Sequence, residues 1–130
     1  DAYMAVAGMP EPDPEHALHL SRVALRMRRF LERRNTSAAH RWRCRIGVGS
    51  GPVIGSIVGI QKFVYDIFGP AVNIAARLES LADPMQILVT PEIAHKIQDD
   101  FILSSLGEVD IKGFGKQEVF VLEDESREGQ

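Results

Sequence analysis

Gly69-Pro70 stands between two runs of different character, and it forces the chain to change structure there. Before it, Phe63–Phe68 (FVYDIF) is a short apolar run rich in aromatic and β-branched residues, the pattern of a strand arm. After it, Ala71–Leu81 places apolar residues at 71, 74, 75 and 78, the stripe of a helix. Proline has a fixed φ and no N–H to donate, so it suits the first helical position. Tyr65-Asp66 then falls at a strand end, and Asn73 and Arg77, spaced i and i+4, share one helix face. Polar groups held at a strand end and on a helix face together make a site for an anionic ligand.

The remaining segments follow the same logic. Ala2–Ala7 is short and apolar, with turn residues from Gly8 to Pro12, and reads as a buried strand. Asp13 is placed to cap a helix opened by Pro14, along which Ala17, Leu20, Ala24, Met27 and Leu31 form one stripe. Arg22, Arg26, Arg29 and Arg33 form a second stripe, read first as a solvated face and otherwise as an anion-binding patch. In RWRCRIGVG, Trp42, Cys44, Ile46 and Val48 alternate with arginines, which predicts a half-buried strand with Cys44 as a small core residue. Gly49, Gly51, Gly55 and Gly59 fit neither GxGxxG nor GxxxxGK[ST]; a tight hairpin and a close backbone approach explain them better.

Val53–Val58 and Phe63–Phe68 read as hairpin arms, Gln86–Thr90 as a strand, and Thr90-Pro91 as the cap of a short helix through Ile97. Leu106–Ile111 and Glu118–Leu122 read as closing strands joined by the turn Lys112–Lys116. The order read along the chain is β-α-β-β-α-β-α-β-β, an α+β sandwich with helices packed on a mainly antiparallel sheet.

Composition excludes several classes. The 130 residues suffice for one compact domain, 45% hydrophobic and 25% charged, with a net charge of −3 that gives no bulk attraction to nucleic acid or anionic membrane. Nine of the fifteen basic residues are arginines between Arg22 and Arg45. A single cysteine leaves no internal disulfide, and no apolar stretch approaches the roughly 20 residues needed to span a bilayer. An RNA-binding sheet would need exposed aromatics that are not evident. His16, His19, His40 and His95 lack ligand spacing for zinc, and no nucleophile elbow is present. Residues 123–130 (EDESREGQ) are polar and expected as a frayed tail, leaving 1–122 as the domain.

Four local patterns could carry chemistry: Asp1-Ala-Tyr-Met, Tyr65–Phe68, the Asn73/Arg77 helix face, and Lys112 on a glycine-rich turn. A carboxylate at Asp66 can accept from an exocyclic amino group, or be a solvated turn residue. Asn73 can donate to a sugar oxygen and the Arg77 guanidinium matches phosphate geometry, although such pairs also occur on ordinary helix surfaces. Lys112 is a plausible phosphate ligand and also what a solvated hairpin presents.

Taken together and in this order, with IGVGSGPV and LVTPEI between them, the motifs resemble those of the class III nucleotidyl cyclases, from Asp1 to about Leu122. The resemblance implies a ferredoxin-like α+β fold and conversion of a nucleoside triphosphate to a cyclic nucleotide and pyrophosphate. It implies that Asp1 holds metal, with two divalent cations, Mg2+ or Mn2+, as cofactors. Asp66 would read adenine, since cyclases with aspartate here are of the adenylyl type, whereas a small residue such as cysteine marks the guanylyl type. Asn73 and Arg77 would orient the ribose and stabilise charge on the α-phosphate, and Lys112 would hold the terminal phosphates.

ATP is thus the expected substrate and cyclic AMP the product. A second cyclase domain, identical or not, is the expected partner in a head-to-tail dimer, with no nucleic acid and no membrane contact by this segment. Location would be cytoplasmic, in a parent protein that could be membrane-anchored. Pro70 and Ala71 depart from the family pattern of Asp or Asn, then Thr. The family's leading strand–helix–helix–strand segment, with a first metal aspartate and a base-reading lysine, has no counterpart here, so the chain is expected to be an excised piece that is inactive alone. A non-catalytic cyclase-like dimerisation module and a guanylyl cyclase are the alternatives.

Overall fold

The computed structural model describes residues 4, 5, 7, 13–51, 54–58 and 64–126, with side chains for all of these except 54–58 and 64–68. The elements are α1 (His16–Asn35), β1 (Ile46–Val48), β2 (Ile54–Val58), β3 (Val64–Phe68), α2 (Pro70–Leu81), β4 (Ile87–Val89), α3 (Pro91–Ile97), β5 (Phe101–Ile111) and β6 (Gly115–Glu125). The strand expected at Ala2–Ala7 and the turn after it lie largely outside the described residues. Between α1 and α2 there are three strands, one for each segment read there although the order read along the chain counts two, and β1 stands apart from the β2–β3 pair.

The main sheet runs β1-β4-β6-β5. β1 and β4 are parallel, and the other two pairings are antiparallel. β2 and β3 pair with each other, in the register Ser56 opposite Asp66. The α+β architecture with a mainly antiparallel sheet is as expected, and helices cover both of its faces.

Alternation along the strands sorts side chains between two cores. Ile87, Val89 and Leu122 join Ala17, Ala24 and Leu25 of α1 and Ile93, Ala94 and Ile97 of α3 on one face. Leu88, Val119 and Val121 join Ile74 and Leu78 of α2 on the other. β5 contributes to both, although Phe101, Leu103, Val109 and Ile111 are all odd-numbered. A bulge reconciles this: Ser105 pairs with Phe120 and Gly107 with Val119, so Leu106 is the extra residue and every later side chain changes face. Gly107, at φ 85°, adopts the left-handed geometry that such a bulge needs.

Helix starts follow local chemistry. α1 begins at His16, later than Asp13-Pro14 suggested. Asp13 accepts from the Glu15 N–H (3.0 Å) through its carboxylate and from the His16 N–H (3.1 Å) through its carbonyl, so it caps a turn that precedes the helix. His19 Nδ1 lies 2.7 Å from the Asp13 carboxylate, and this contact holds Asp13 below the usual carboxylate range. α3 has the expected cap, with Thr90 Oγ1 accepting from the Ile93 N–H at 3.2 Å.

Several expectations need correction. β1 starts at Ile46, not Arg41, and Trp42 is 57% exposed rather than a core residue. The Asn35 side chain takes both backbone groups of Trp42, accepting from its N–H (2.9 Å) and donating to its carbonyl (2.8 Å). The indole then stacks under the Arg34 guanidinium, 3.7 Å from its centroid. Cys44 is half-buried and belongs to neither core cluster, rather than being a core residue, and burial pushes its thiol pKa up.

The arginine stripe on α1 is not wholly solvated. Arg29 pairs with both Asp124 and Glu125, while Arg28 donates to the carbonyls of Leu122 and Glu123. For the same reason β6 continues through Glu125, into the segment expected as a frayed tail.

Candidate functional site

The roll of α2 about its axis is set by its buried stripe. Gly69, at φ 134°, makes the sharp entry, Pro70 takes the first helical position, and the Asn73 N–H donates to the Gly69 carbonyl at 3.1 Å. Ala71, Ile74 and Leu78 are buried against the sheet, which leaves Asn73, Ala76 and Arg77 exposed on the outer face. Two glycines bring the helix unusually close to β1. A Cβ at Gly47 would lie 2.1 Å from the Ala75 carbonyl oxygen, and one at Gly49 would lie 2.5 Å from the Ile74 side chain. The close approach expected among these glycines is therefore present at Gly49, and Gly47, which the sequence did not single out, makes a closer one. Arg45 ties the later turns of α2 to the start of β1, its Nη2 3.4 Å from Glu79 Oε2 without hydrogen-bond alignment.

The other wall is the turn between β5 and β6. The Phe114 N–H donates to the Ile111 carbonyl (2.8 Å), and Gln117 Nε2 donates to the Phe114 carbonyl (3.3 Å). Gly113 and Gly115 take φ values of 88° and 75° on either side of Phe114, which packs against the α2-side core.

Between these walls lies an open cleft of about 420 Å3 lined by Asn73, Ala76, Arg77, Lys112, Gly113 and Phe114. Three of the five residues singled out from the sequence, Asn73, Arg77 and Lys112, thus come together from a helix and a turn distant in the chain. Among the described residues neither Arg77 nor Lys112 has an ion-pair partner, and no carboxylate lines the cleft. Two unneutralised cations, one a planar fork and one a point charge, with an amide between helix turns, suit an anionic ligand with a polar neutral portion, as a nucleotide has. Phe114 and Ala76 are lining residues that the sequence reading did not assign. An aromatic residue at the centre of a glycine-rich turn was the available signal for the first.

Asp66 lies in β3, directly opposite Ser56 and three positions before Gly69, so the backbone brings it to the strand end that feeds α2. Asp1 lies outside the described residues. No group of three His, Cys, Asp or Glu side chains able to hold a metal ion occurs among the described residues. No helix among them is long and apolar enough to cross a membrane.

The family model of the adenylate and guanylate cyclase catalytic domain matches residues 1–124. An adenylate cyclase of Mycobacterium tuberculosis is 36% identical over 94% of this chain, and soluble guanylate cyclase 89Db of Drosophila melanogaster is 36% identical over 92% of it. The chain spans 28% and 18% of the length of these two relatives. Among solved structures, the guanylate cyclase domain of RhGC from Catenaria anguillulae, in complex with GTP, superposes with a TM-score of 0.84 at 25% identity, over 92% of this chain and 65% of that one. The catalytic core of a rhodopsin-guanylyl cyclase with converted specificity, in complex with ATPαS, gives 0.81 at 26% identity, over 90% and 64%. The chain belongs to the adenylate and guanylate cyclase catalytic-domain family.

Proposed function

We propose that this domain converts ATP to 3′,5′-cyclic AMP and pyrophosphate for signalling inside the cell. The observation that carries the reading is the convergence of Asn73, Arg77 and Lys112 on one cleft whose cations lack ion-pair partners among the described residues. In the reaction the ribose 3′-oxygen attacks the α-phosphorus in line, the bond to the bridging oxygen of pyrophosphate breaks, and the 3′-hydroxyl proton is lost. Arg77 stabilises the charge that builds on the α-phosphoryl oxygens, Asn73 orients the ribose, and Lys112 holds the terminal phosphates. The backbone that carries these donors is fixed by the packing of α2 and by the hairpin turn, which sets where their side chains start.

The choice of ATP rests on Asp66, whose carboxylate is suited to accept from the adenine amino group. The similarity to the mycobacterial adenylate cyclase is in keeping with that choice. A guanylyl cyclase is the second reading, because guanylate cyclases match at equal or higher identity.

Two divalent cations, Mg2+ or Mn2+, with Asp1 as one ligand, belong to the proposal. The described residues do not themselves form a cation site, and no step above runs through one. A head-to-tail dimer, in which Asp1 of one chain serves a site completed by Asp66, Asn73, Arg77 and Lys112 of another, is also proposed. The test is product formation by the intact protein from ATP and from GTP, followed across protein concentration. Cyclic AMP in excess over cyclic GMP, with specific activity rising with concentration, supports the reading; cyclic GMP as the main product replaces it with the second one.

A further inference from the structure

Phe114 sits at the middle of the turn that carries Lys112, and it belongs to two environments. It lines the cleft with Asn73, Arg77 and Lys112, and it packs against the buried cluster that includes Ile74, Leu78 and Val119. Among the described residues, no hydrogen bond or ion pair joins residues 112–116 to α2; the bonds of the turn run to Ile111 and Gln117, within its own hairpin. Its glycines do not brace it. A Cβ at Gly113 or Gly115 would meet nothing within 4 Å, so these residues supply left-handed backbone geometry rather than clearance. Ile111, next to Lys112, anchors the end of β5 in the same cluster, and the apolar contact of Phe114 is what holds the turn beyond it against the α2 side, between Arg77 on the helix and Lys112 on the turn.

We propose that Phe114 is a positioning residue, anchoring the Lys112–Gly115 turn to the α2 side of the core so that the Lys112 ammonium meets the terminal phosphates of a nucleoside triphosphate held by Arg77. The inference rests on the nucleotide reading of the cleft. It adds a residue whose effect passes through Lys112 and not through contact with the reacting atoms. Substrate binding should therefore respond more than the chemical step, because a misplaced Lys112 loses a charge-assisted bond to phosphates distant from the bond that forms.

The experiment is a double-mutant cycle on the intact protein, with KM and kcat for ATP measured for the parent, Phe114→Ala, Lys112→Ala and the double variant. Thermal unfolding establishes that each is folded, and Phe114→Val replaces Phe114→Ala if the latter does not fold. Loss of one charged hydrogen bond predicts about a tenfold or greater rise in KM for Phe114→Ala, with a much smaller change in kcat. The double variant should bind no worse than Lys112→Ala, and Phe114→Leu, which keeps apolar bulk, should restore most of the parent KM. Effects of Phe114→Ala and Lys112→Ala that multiply, or a fall in kcat without a rise in KM, overturn the inference while leaving the nucleotide reading intact. A folded parent that neither binds nor turns over a nucleoside triphosphate overturns both.

Discussion

The two faces of the central sheet are built from different materials. On the α2 face, glycines at 47 and 49 let a helix backbone settle almost onto β1, and the helix turns its polar side, with Asn73 and Arg77, outward into an open cleft. On the α1–α3 face, two helices share the cover of the sheet, and arginines of α1 grip the end of β6. α1 also carries an outer groove of about 400 Å3, lined by Val23, Arg26, Met27, Phe30, Leu31 and Cys44, which is apolar where the α2 cleft mixes polar and apolar groups. Both faces thus carry buried aliphatic cores, and the proposed site lies on the exposed side of α2, so variants of its outward residues can perturb activity without stability.

The largest separation should come from Arg77. Arg77→Ala removes an exposed side chain without buried partners, so its melting temperature should stay within about a degree or two of the parent, as for most surface substitutions. Loss of a preorganised donor should cost about 10²–10³ in kcat, and Asn73→Ala should behave similarly. A normal kcat with only a raised KM would contradict the role given to Arg77.

Gly47→Ala joins the two properties. The new methyl meets backbone atoms, the Ala75 carbonyl oxygen at 2.1 Å and the Glu79 nitrogen at 2.6 Å, and so cannot be relieved by a rotamer change. Denaturant unfolding should show a loss of about 3 kcal/mol, at the upper end of overpacking costs. Activity should fall as well, because α2 carries the cleft residues away with it. Stability equal to the parent would show that α2 can shift freely and that the tight approach is not needed.

Much of the α2 side was legible in the sequence, because its determinants are local: Gly69-Pro70 breaks the strand, the spacing of Ala71, Ile74 and Leu78 sets the buried stripe, and Asn73 and Arg77 then have one place to go. The α1 side was less legible, because distant residues decide it. Trp42 follows a strand-like alternation, yet it is held out of the core by Asn35 and Arg34. The polar run after Leu122 resembles a tail until Arg29, about a hundred residues upstream, pairs with it. The bulge at Leu106 is likewise invisible in the alternation of β5 and becomes evident only against β6.

Arg29→Ala should give the smallest effect and confine it to stability. Its pairs with Asp124 and Glu125 are partly exposed, so about 0.2–1 kcal/mol is expected, screened by salt, with kcat and KM unchanged. Asp124 is held below the usual carboxylate range by the Glu125 N–H and then by Arg29. A depressed carboxylate contributes stability above its unfolded-state pKa and loses it as pH falls through the folded one, so the difference between parent and variant should shrink on acidification. A difference that grows at low pH would place the stabilisation elsewhere.

The measurement that bears most directly on the function of the cleft is nucleotide preference in Asp66→Cys. The parent should favour ATP over GTP. Loss of one charged hydrogen bond, on the order of 1.5–3 kcal/mol, should cut kcat/KM for ATP by about tenfold to a hundredfold and raise the relative use of GTP. An ATP-to-GTP ratio unchanged by the substitution would contradict the assignment of Asp66 to the base and, with it, the adenylyl reading of the site.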